Sequence, residues 1–298
     1  MKTRSGSVTS RRELWTRSLG VFSLVVATAA LNGCVFSIGP RVNAKADDNF
    51  FVPRSGSMLI VENNVGEIEV IADPSATELR AEVTRIGKGR TIKAAHEALD
   101  AIDVVFRPRP SNPDVFEAVV HHPKPRRGKQ YKVNWAIWAP PDMAVEITND
   151  VGDIEIDGFG HGLVLTNDVG DVLIHSVAGG VTASIDVGHV EVYASGPIDV
   201  QTDVGDVEVT VIDEGADPVK IKTDVGDAWV SVPSSWRGSV KGVTDVGRTR
   251  VRSLGEPVRV HRHRKHHFEG AIGDGAGVID LRTDVGNATV KVRKGEAQ

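Results

Sequence analysis

Apolar and polar residues alternate along most of the chain, and in its second half the tripeptide Asp-Val-Gly interrupts the alternation at regular intervals. Apolar residues stand five and three positions before the Asp and four and six after it, as Val145, Ile147, Ile154 and Ile156 do around Asp150; only Gly242 and Thr249, around Asp245, depart from this. Alternation on both sides of a turn predicts two β-strands per unit, each with one apolar face. The repeat aspartates are Asp150, Asp168, Asp186, Asp203, Asp224, Asp245 and Asp284.

Successive aspartates lie 18, 18, 17, 21, 21 and 39 residues apart, and a degenerate copy with Asn64 precedes them. A short fixed period is typical of stacked arrays. Successive hairpins would alternate two kinds of connection, whereas here the same turn recurs once per period. The sequence therefore predicts an all-β protein built as a parallel β-solenoid (a single-stranded β-helix) of 18–21-residue coils, each about 4.8 Å above the last.

A glycine closes every copy of the repeat. It predicts either a positive φ or a corner too tight for a side chain, and the valine before it is expected to fill the corner of the core. No helix follows these glycines, which argues against a phosphate-binding loop. The corner glycines are Gly66, Gly152, Gly170, Gly188, Gly205, Gly226, Gly247 and Gly286.

The part of the chain before the array is also rich in strand patterns. Strands are expected at Val104–Arg107, Val115–Val120 and Lys132–Ala139, and Thr91–Leu99 contains strong helix formers at helical spacing, which predicts one short helix. The predicted organisation is a signal peptide over 1–33, a tether over 34–56, a strand-rich part over 57–141, the repeat array over 142–292 and a tail over 293–298.

The N-terminus has the three parts of a secretion signal: a basic stretch, the apolar run Leu19–Leu31 and a small residue, Gly33, before Cys34. Thirteen apolar residues are few for a membrane span. The first 33 residues carry five basic groups and one acidic group, so their net charge is +4. Because the whole chain has a net charge of −5, the rest of it carries −9. That balance argues against nucleic-acid binding.

The segment Leu31-Asn32-Gly33-Cys34 resembles the lipobox of bacterial lipoproteins, although Asn32 departs from the usual small or apolar residue. The resemblance implies that Cys34 becomes a lipidated N-terminus, and Val35, which is not the Asp of inner-membrane retention, favours the outer membrane. Cys34 is the only cysteine, so internal disulfides are impossible. The alternative is an uncleaved anchor helix with Cys34 as a spare thiol.

Stacked coils would bring equivalent carboxylates within about 5 Å of one another. One interpretation is that each Asp accepts a hydrogen bond from the N–H of its own glycine in an Asx turn. The other is that Ca²⁺ bridges successive coils, with the aspartates from Asp150 to Asp245 as candidate ligands. Asp153, Asp171, Asp206 and Asp227 would form a second row.

Two basic segments are candidates for binding. His261, His263, His266 and His267 lie where the repeat spacing nearly doubles; they indicate a solvated insertion loop, or a site for Zn²⁺, Cu²⁺ or Ni²⁺. A second cluster over 121–132 is either plain surface or a contact for acidic glycans or membrane head groups. No cofactor is predicted.

The repeated motif T-[ND]-x-V-G-[DE]-[IV]-x-[IV], the strand-rich part with one helix and the lipobox together resemble the putative adhesin family of bacterial envelope β-solenoid proteins. The resemblance covers about residues 55 to 292. It implies a place in the cell envelope and supplies no catalytic or ligand residues.

The sequence therefore predicts a lipid-anchored envelope protein that acts as an adhesin-like interaction or scaffold protein without catalysis. Its expected partners are the membrane, through the anchor, and an envelope polysaccharide or another envelope protein, with no nucleic acid. One alternative is a metal or stress sensor that uses the His-rich segment. Another is a β-helix carbohydrate-active enzyme, for which the array offers Tyr193, Trp229 and Trp236 as sugar platforms.

Overall fold

Short strands on either side of sharp corners make up most of the computed structural model, which describes residues 41–54, 56–122, 129–213, 215–254 and 257–294. The prediction of an all-β chain with one short helix is confirmed. The signal peptide, the lipobox with Cys34 and most of the tail lie outside the described residues, so their assignments stay predictions.

Within the described residues, the part before the array is formed by β1 (Val42–Pro53), β2 (Met58–Val65), β3 (Ile68–Ala72), β4 (Glu78–Gly89), α1 (Ile92–Leu99), β5 (Asp103–Arg109), β6 (Asn112–His121) and β7 (Gln130–Ala139).

The array itself is formed by β8 (Ala144–Val151), β9 (Ile154–Asp157), β10 (Leu163–Val169), β11 (Val172–Val177), β12 (Val181–Val187), β13 (Val190–Ala194), β14 (Ile198–Val204), β15 (Val207–Val211), β16 (Val219–Val225), β17 (Ala228–Val232), β18 (Gly238–Val246), β19 (Thr249–Ser253), β20 (Val258–Arg264), β21 (His267–Ile272), β22 (Gly277–Val285) and β23 (Ala288–Val292).

These strands form two large sheets that share one hydrophobic core. The first sheet has the order β1-β4-β7-β3-β9-β11-β13-β15-β17-β23-β19, and the second β20-β21-β18-β22-β16-β14-β12-β10-β8-β2-β6-β5. In the array, the strand before each corner lies in the second sheet and the strand after it in the first. Most neighbours are parallel; the antiparallel pairs are β1–β4, β4–β7, β5–β6, β18–β21 and β20–β21.

Equivalent residues of neighbouring units stand side by side. Leu163 of β10 pairs with Val145 of β8 on one side and with Val181 of β12 on the other. Leu163, Leu165 and Asn167 of β10 are buried and the residues between them are exposed, because side chains of a strand point alternately to its two faces. The repeat in the sequence thus places like side chains in files that run across the strands, with one residue from each unit.

The last two repeats are not stacked in chain order. β22 pairs with both β16 and β18, and β23 with both β17 and β19, so the unit of Asp284 lies between the units of Asp224 and Asp245. The expectation that each unit lies directly above the previous one is therefore wrong here. The 39-residue separation contains the β20–β21 hairpin, which extends the second sheet beyond β18 before the chain returns to the open layer.

Residues 42–53 form β1 rather than part of a tether. β1 pairs antiparallel with β4 over its whole length, from Val42 beside Gly89 to Pro53 beside Glu78. The segment was not recognised as a strand because it is an edge strand whose burial is shallow: among its residues only Ala44 is fully buried. The prediction of a tether is wrong for these residues.

The predicted helix begins after Thr91, whose Oγ1 accepts a hydrogen bond from the N–H of Ala94 at 3.1 Å, as an N-cap residue does. Its buried residues include Leu99, which packs against β4. Gly87 allows this approach, since a Cβ there would lie 2.2 Å from the Leu99 nitrogen. No helix in the described residues has the length and apolar character needed to cross a membrane.

The corner glycines stack on one another so closely that no side chain fits. A Cβ on Gly170 would lie 2.1 Å from the carbonyl oxygen of Gly152, and one on Gly152 would lie 1.9 Å from that of Gly66. Gly170 also has a φ of 145°, which L residues with side chains rarely adopt. Gly188 does not share this positive φ, yet a Cβ there would lie 2.0 Å from the Gly170 oxygen. Space alone therefore requires glycine at that corner.

Gly170→Ala tests the glycine stack. We expect the free energy of unfolding to fall by at least about 2 kcal/mol, because the methyl group must push the neighbouring unit away and the backbone is strained. Gly160→Ala is the matched control, since its Cβ would lie 3.4 Å from its nearest neighbour. Urea unfolding followed by circular dichroism measures both, and equal stabilities of the two variants would contradict the packing argument.

Candidate functional site

Seven of the eight corners have a buried polar residue on their inner side, and the eighth has Ile185 there. The Nδ2 group of Asn167 donates to the carbonyl oxygens of Gly152 at 3.1 Å and Gly170 at 3.3 Å. In another unit Thr283 Oγ1 donates to the Gly226 oxygen at 2.8 Å. A buried carbonyl needs such a partner, so these side chains hold the glycine corner. In stacking order the residues at this position are Asn63, Asn149, Asn167, Ile185, Thr202, Thr223, Thr283 and Thr244.

The glycine N–H groups bond between units. Gly152 donates to the carbonyl oxygen of Val169 at 2.8 Å, and Gly170 to that of Val187 at 3.0 Å. The N–H is thus directed to the next unit rather than to the aspartate two residues before it. The prediction of an Asx turn at this position is wrong.

The repeat valines lie outside the core, contrary to the expectation that they fill its corner. They are between 40 and 62% exposed, and neighbouring units bring them side by side. The resulting file is roughly 34 Å long, because seven steps of about 4.8 Å separate its ends. In stacking order it contains Val65, Val151, Val169, Val187, Val204, Val225, Val285 and Val246.

A file of acidic residues runs beside the valines, because every valine follows an aspartate or, in one unit, Asn64. Asn64 Nδ2 donates to Asp150 at 2.8 Å, and Lys222 pairs with Asp224 at 2.9 Å. Asp168 and Asp186, both exposed, hydrogen-bond to no described residue. We call the valine file together with this acidic file the corner edge.

The second row of carboxylates has a structural role. Asp153 accepts a hydrogen bond from the N–H of Asp171 at 3.0 Å, and Asp171 from the N–H of His189 at 2.9 Å. Asp227 likewise accepts from the N–H of Asn287 at 2.7 Å. Each carboxylate thereby binds the backbone of the neighbouring unit, which explains an acidic residue at this position without any ligand.

Among the described residues, no three His, Cys, Asp or Glu side chains come together as a metal-binding group. The aspartates from Asp150 to Asp245 lie in one file on the corner edge, with Asp284 inserted before the last of them. Binding of Ca²⁺ there stays a prediction.

The His-rich segment is an edge hairpin rather than a loop. His261 and His263 lie exposed on β20, and His267 begins β21. His267 Nε2 is 2.9 Å from Glu269 Oε1, and this hydrogen bond lowers the pKa of Glu269. The carbonyl of His266, in the turn, accepts from the N–H of Thr244 at 3.0 Å. The hairpin thus covers the last corner, and metal binding by its histidines stays a prediction.

The three aromatic residues considered as sugar platforms lie in three different environments. Trp236 is fully buried and is therefore a core residue. Tyr193 stacks on His175 with 4.7 Å between ring centroids, and its hydroxyl donates to Glu191 at 2.5 Å. This hydrogen bond, aided by burial, raises the pKa of Tyr193 to about 12. Trp229 is partly exposed on the outward face of the first sheet.

The second basic cluster is only partly described, because residues 123–128 lie outside the described ranges. Two of its lysines are paired: Lys129 with Glu97 at 2.8 Å and Lys132 with Glu67 at 2.9 Å. Ion pairs on the surface therefore explain both lysines without a ligand.

Comparisons with known proteins give no family and no curated relative: no family model and no curated protein matches the chain. Solved structures do resemble it. A putative cell adhesion protein from Clostridium sporogenes ATCC 15579 shares 13% identity, with 84% of this chain and all of that chain covered, at a TM-score of 0.38. A putative adhesin from Bacteroides fragilis NCTC 9343 shares 12%, with 84% and 97% covered, at a TM-score of 0.29.

A putative adhesin from Parabacteroides merdae ATCC 43184 shares 11% identity, with 84% of this chain and 96% of that chain covered, at a TM-score of 0.29. These three solved structures are thus described as a putative cell adhesion protein and two putative adhesins.

The inner polar residue gives a prediction at Asn167. Asn167→Ala leaves the Gly170 carbonyl without a side-chain donor, and the Gly152 carbonyl keeps only Asn149. We therefore expect it to lower the free energy of unfolding by about 1–3 kcal/mol. Asn167→Thr should cost less than about 1 kcal/mol, since threonine hydroxyls donate to the equivalent carbonyls in other units. Thermal and urea unfolding compare the two, and equal losses would contradict the proposed role of the side-chain donor.

Proposed function

We propose that the protein is a lipid-anchored cell-envelope protein that binds a protein partner along its corner edge, in an adhesin-like or scaffold role without catalysis. The observation that carries the proposal is the continuous file of exposed valines beside a file of carboxylates. Contiguous exposed apolar surface on a soluble domain commonly marks a contact site. The acidic file complements a partner surface on which basic side chains border apolar ones.

We also infer that the repeat units act as the coils of a parallel β-solenoid. The in-register pairing of equivalent residues, such as Val169 beside both Val151 and Val187, supports this. A solenoid holds identical side chains at a constant spacing on a rigid body. A partner that contacts several valines would therefore gain affinity with each additional unit that it covers.

Attachment to the membrane is the second part of the proposal. The basic stretch, the apolar run and the lipobox-like segment before Cys34 support processing as a lipoprotein, and Val35 supports the outer membrane. One acyl chain binds a bilayer only marginally, whereas the several chains of a mature lipoprotein bind it stably. The anchor would keep the corner edge near envelope partners.

A photo-crosslinking experiment tests the contact surface. We expect benzoylphenylalanine in place of Val187, incorporated into the full chain in the cells that produce it, to give a crosslinked species of defined mass. The control is the same change at Val164, which is 49% exposed but lies on the outward face of the second sheet. No adduct at Val187, or equal adducts at both positions, would refute the corner edge as the contact.

Val187→Thr supplies the complementary test of energetics. It keeps the shape of the side chain and adds a hydroxyl, so we expect the yield of a crosslink formed at Val169 to fall several-fold while the melting temperature is unchanged. An unchanged yield would mean that the apolar character of the file is irrelevant to the contact.

Lipidation is tested with an alkyne-bearing fatty acid supplied to growing cells. The wild-type chain should incorporate the label and fractionate with outer membranes, and Cys34→Ser should lose both properties, because Cys34 is the only thiol. A labelled Cys34→Ser chain, or an unlabelled wild-type chain, would exclude the lipoprotein interpretation.

A further inference from the structure

The outward face of the first sheet has a shallow pocket at its C-terminal end, on a different face from the corner edge. Its volume is about 230 Å³. It combines one aromatic ring, two hydroxyls, two cations and a carboxylate. The lining residues are Glu208, Trp229, Val230, Ser231, Arg252, Thr289 and Lys291.

Strand register fixes how these groups are arranged. Trp229 of β17 has Glu208 of β15 on one side and Thr289 of β23 on the other. Two residues further along the strands, Ser231, Lys291 and Arg252 form a parallel file on β17, β23 and β19. Neighbouring strands lie about 4.8 Å apart. The indole thus lies between a carboxylate on one side and hydroxyl and cationic groups on the other.

In the described part of the chain, no carboxylate pairs with the two cations of the pocket. Arg252 and Lys291 are direct neighbours across β19 and β23, an arrangement in which like charges destabilise a sheet. Neither side chain forms an ion pair or hydrogen bond with any described residue. On the second sheet, by contrast, the exposed Lys220 pairs with Asp199 at 2.9 Å. A bound anion would offset the repulsion between Arg252 and Lys291.

The indole of Trp229 also lacks a stacking or cation partner among the described residues. Trp138, on the same face, has the guanidinium of Arg80 4.7 Å from its ring centroid, and Tyr193 stacks on His175. Trp229 contacts no ring or cation among the described residues. A partly exposed indole offers a flat apolar surface with a polar edge, which suits the C–H face of a sugar ring.

We propose that this pocket binds an acidic saccharide. The sugar carboxylate lies against Arg252 and Lys291, and the guanidinium can bind it through two parallel hydrogen bonds. The ring covers Trp229. Glu208 accepts hydrogen bonds from sugar hydroxyls, and the hydroxyls of Ser231 and Thr289 can accept or donate them. This site is independent of the corner edge and of the protein partner proposed above.

Isothermal titration calorimetry of the full chain in detergent tests the assignment, with trigalacturonate as the probe and galactotriose as its neutral counterpart. We expect trigalacturonate to bind and galactotriose to bind at least about tenfold more weakly, because it lacks the carboxylates that pair with charged donors. Binding of trigalacturonate should weaken as salt rises, since exposed charges are screened.

Variants locate the site. Arg252→Gln and Lys291→Gln should each weaken trigalacturonate about tenfold, and Trp229→Leu should weaken both sugars because it removes the shared platform. Lys241→Gln makes the same charge change on the second sheet and should leave binding unchanged. Val187→Thr should also leave it unchanged, which separates this proposal from the corner edge.

Three results would overturn the proposal: no heat with trigalacturonate, equal binding of galactotriose, or wild-type affinity in both Arg252→Gln and Trp229→Leu. Vesicles containing phosphatidylglycerol form a further arm. If such vesicles bind in a manner lost in Arg252→Gln while trigalacturonate gives no heat, the basic pair recognises a lipid phosphate, and the sugar assignment is wrong.

Discussion

Contact between glycine backbones at the corners is the constraint on which the array depends. From Gly152 onward, each corner glycine lies where a Cβ would meet the carbonyl of the neighbouring glycine at about 2 Å. The two sheets can therefore come together at a sharp corner only if this position has no side chain. The N–H then donates to the next unit, and Asn167 or its threonine equivalents donate to the carbonyls. Steric fit and hydrogen bonding therefore fix the same register.

That register determines which positions are free for recognition. Inward residues are fixed by the core, and the carboxylates of the Asp153 row are occupied with backbone N–H groups of the next unit. The valines and the aspartates before them neither fill the core nor bind the backbone of the next unit. The same holds for the outward side chains of the strands. The corner edge presents the same apolar and acidic side chains along its length. On the outward face of the first sheet, by contrast, the charge changes from acidic at Glu208 to basic at Arg252 within a few strands.

Much of the architecture follows from the sequence, because period-two alternation and a recurring glycine leave few alternatives. Whether the repeat valines face the core or the solvent does not follow from the sequence. Inward positions lie three before and four after each Asp, an odd separation, so one corner residue must break the alternation, and the sequence does not say which. β1 was missed because an edge strand buries little, and Arg252 and Lys291 were missed because only the register makes them neighbours.

The position of the last repeat has a consequence for biogenesis. β22 and β23 enter the layer between β16–β17 and β18–β19, so strands that follow β18 and β19 in the chain complete the middle of a stack whose flanks precede them. Until they arrive, parallel strand edges on both sides of that layer lack their partners, and unpaired edges invite aggregation. A chain cut short before β22 would therefore expose both edges to proteolysis and to pairing with other chains.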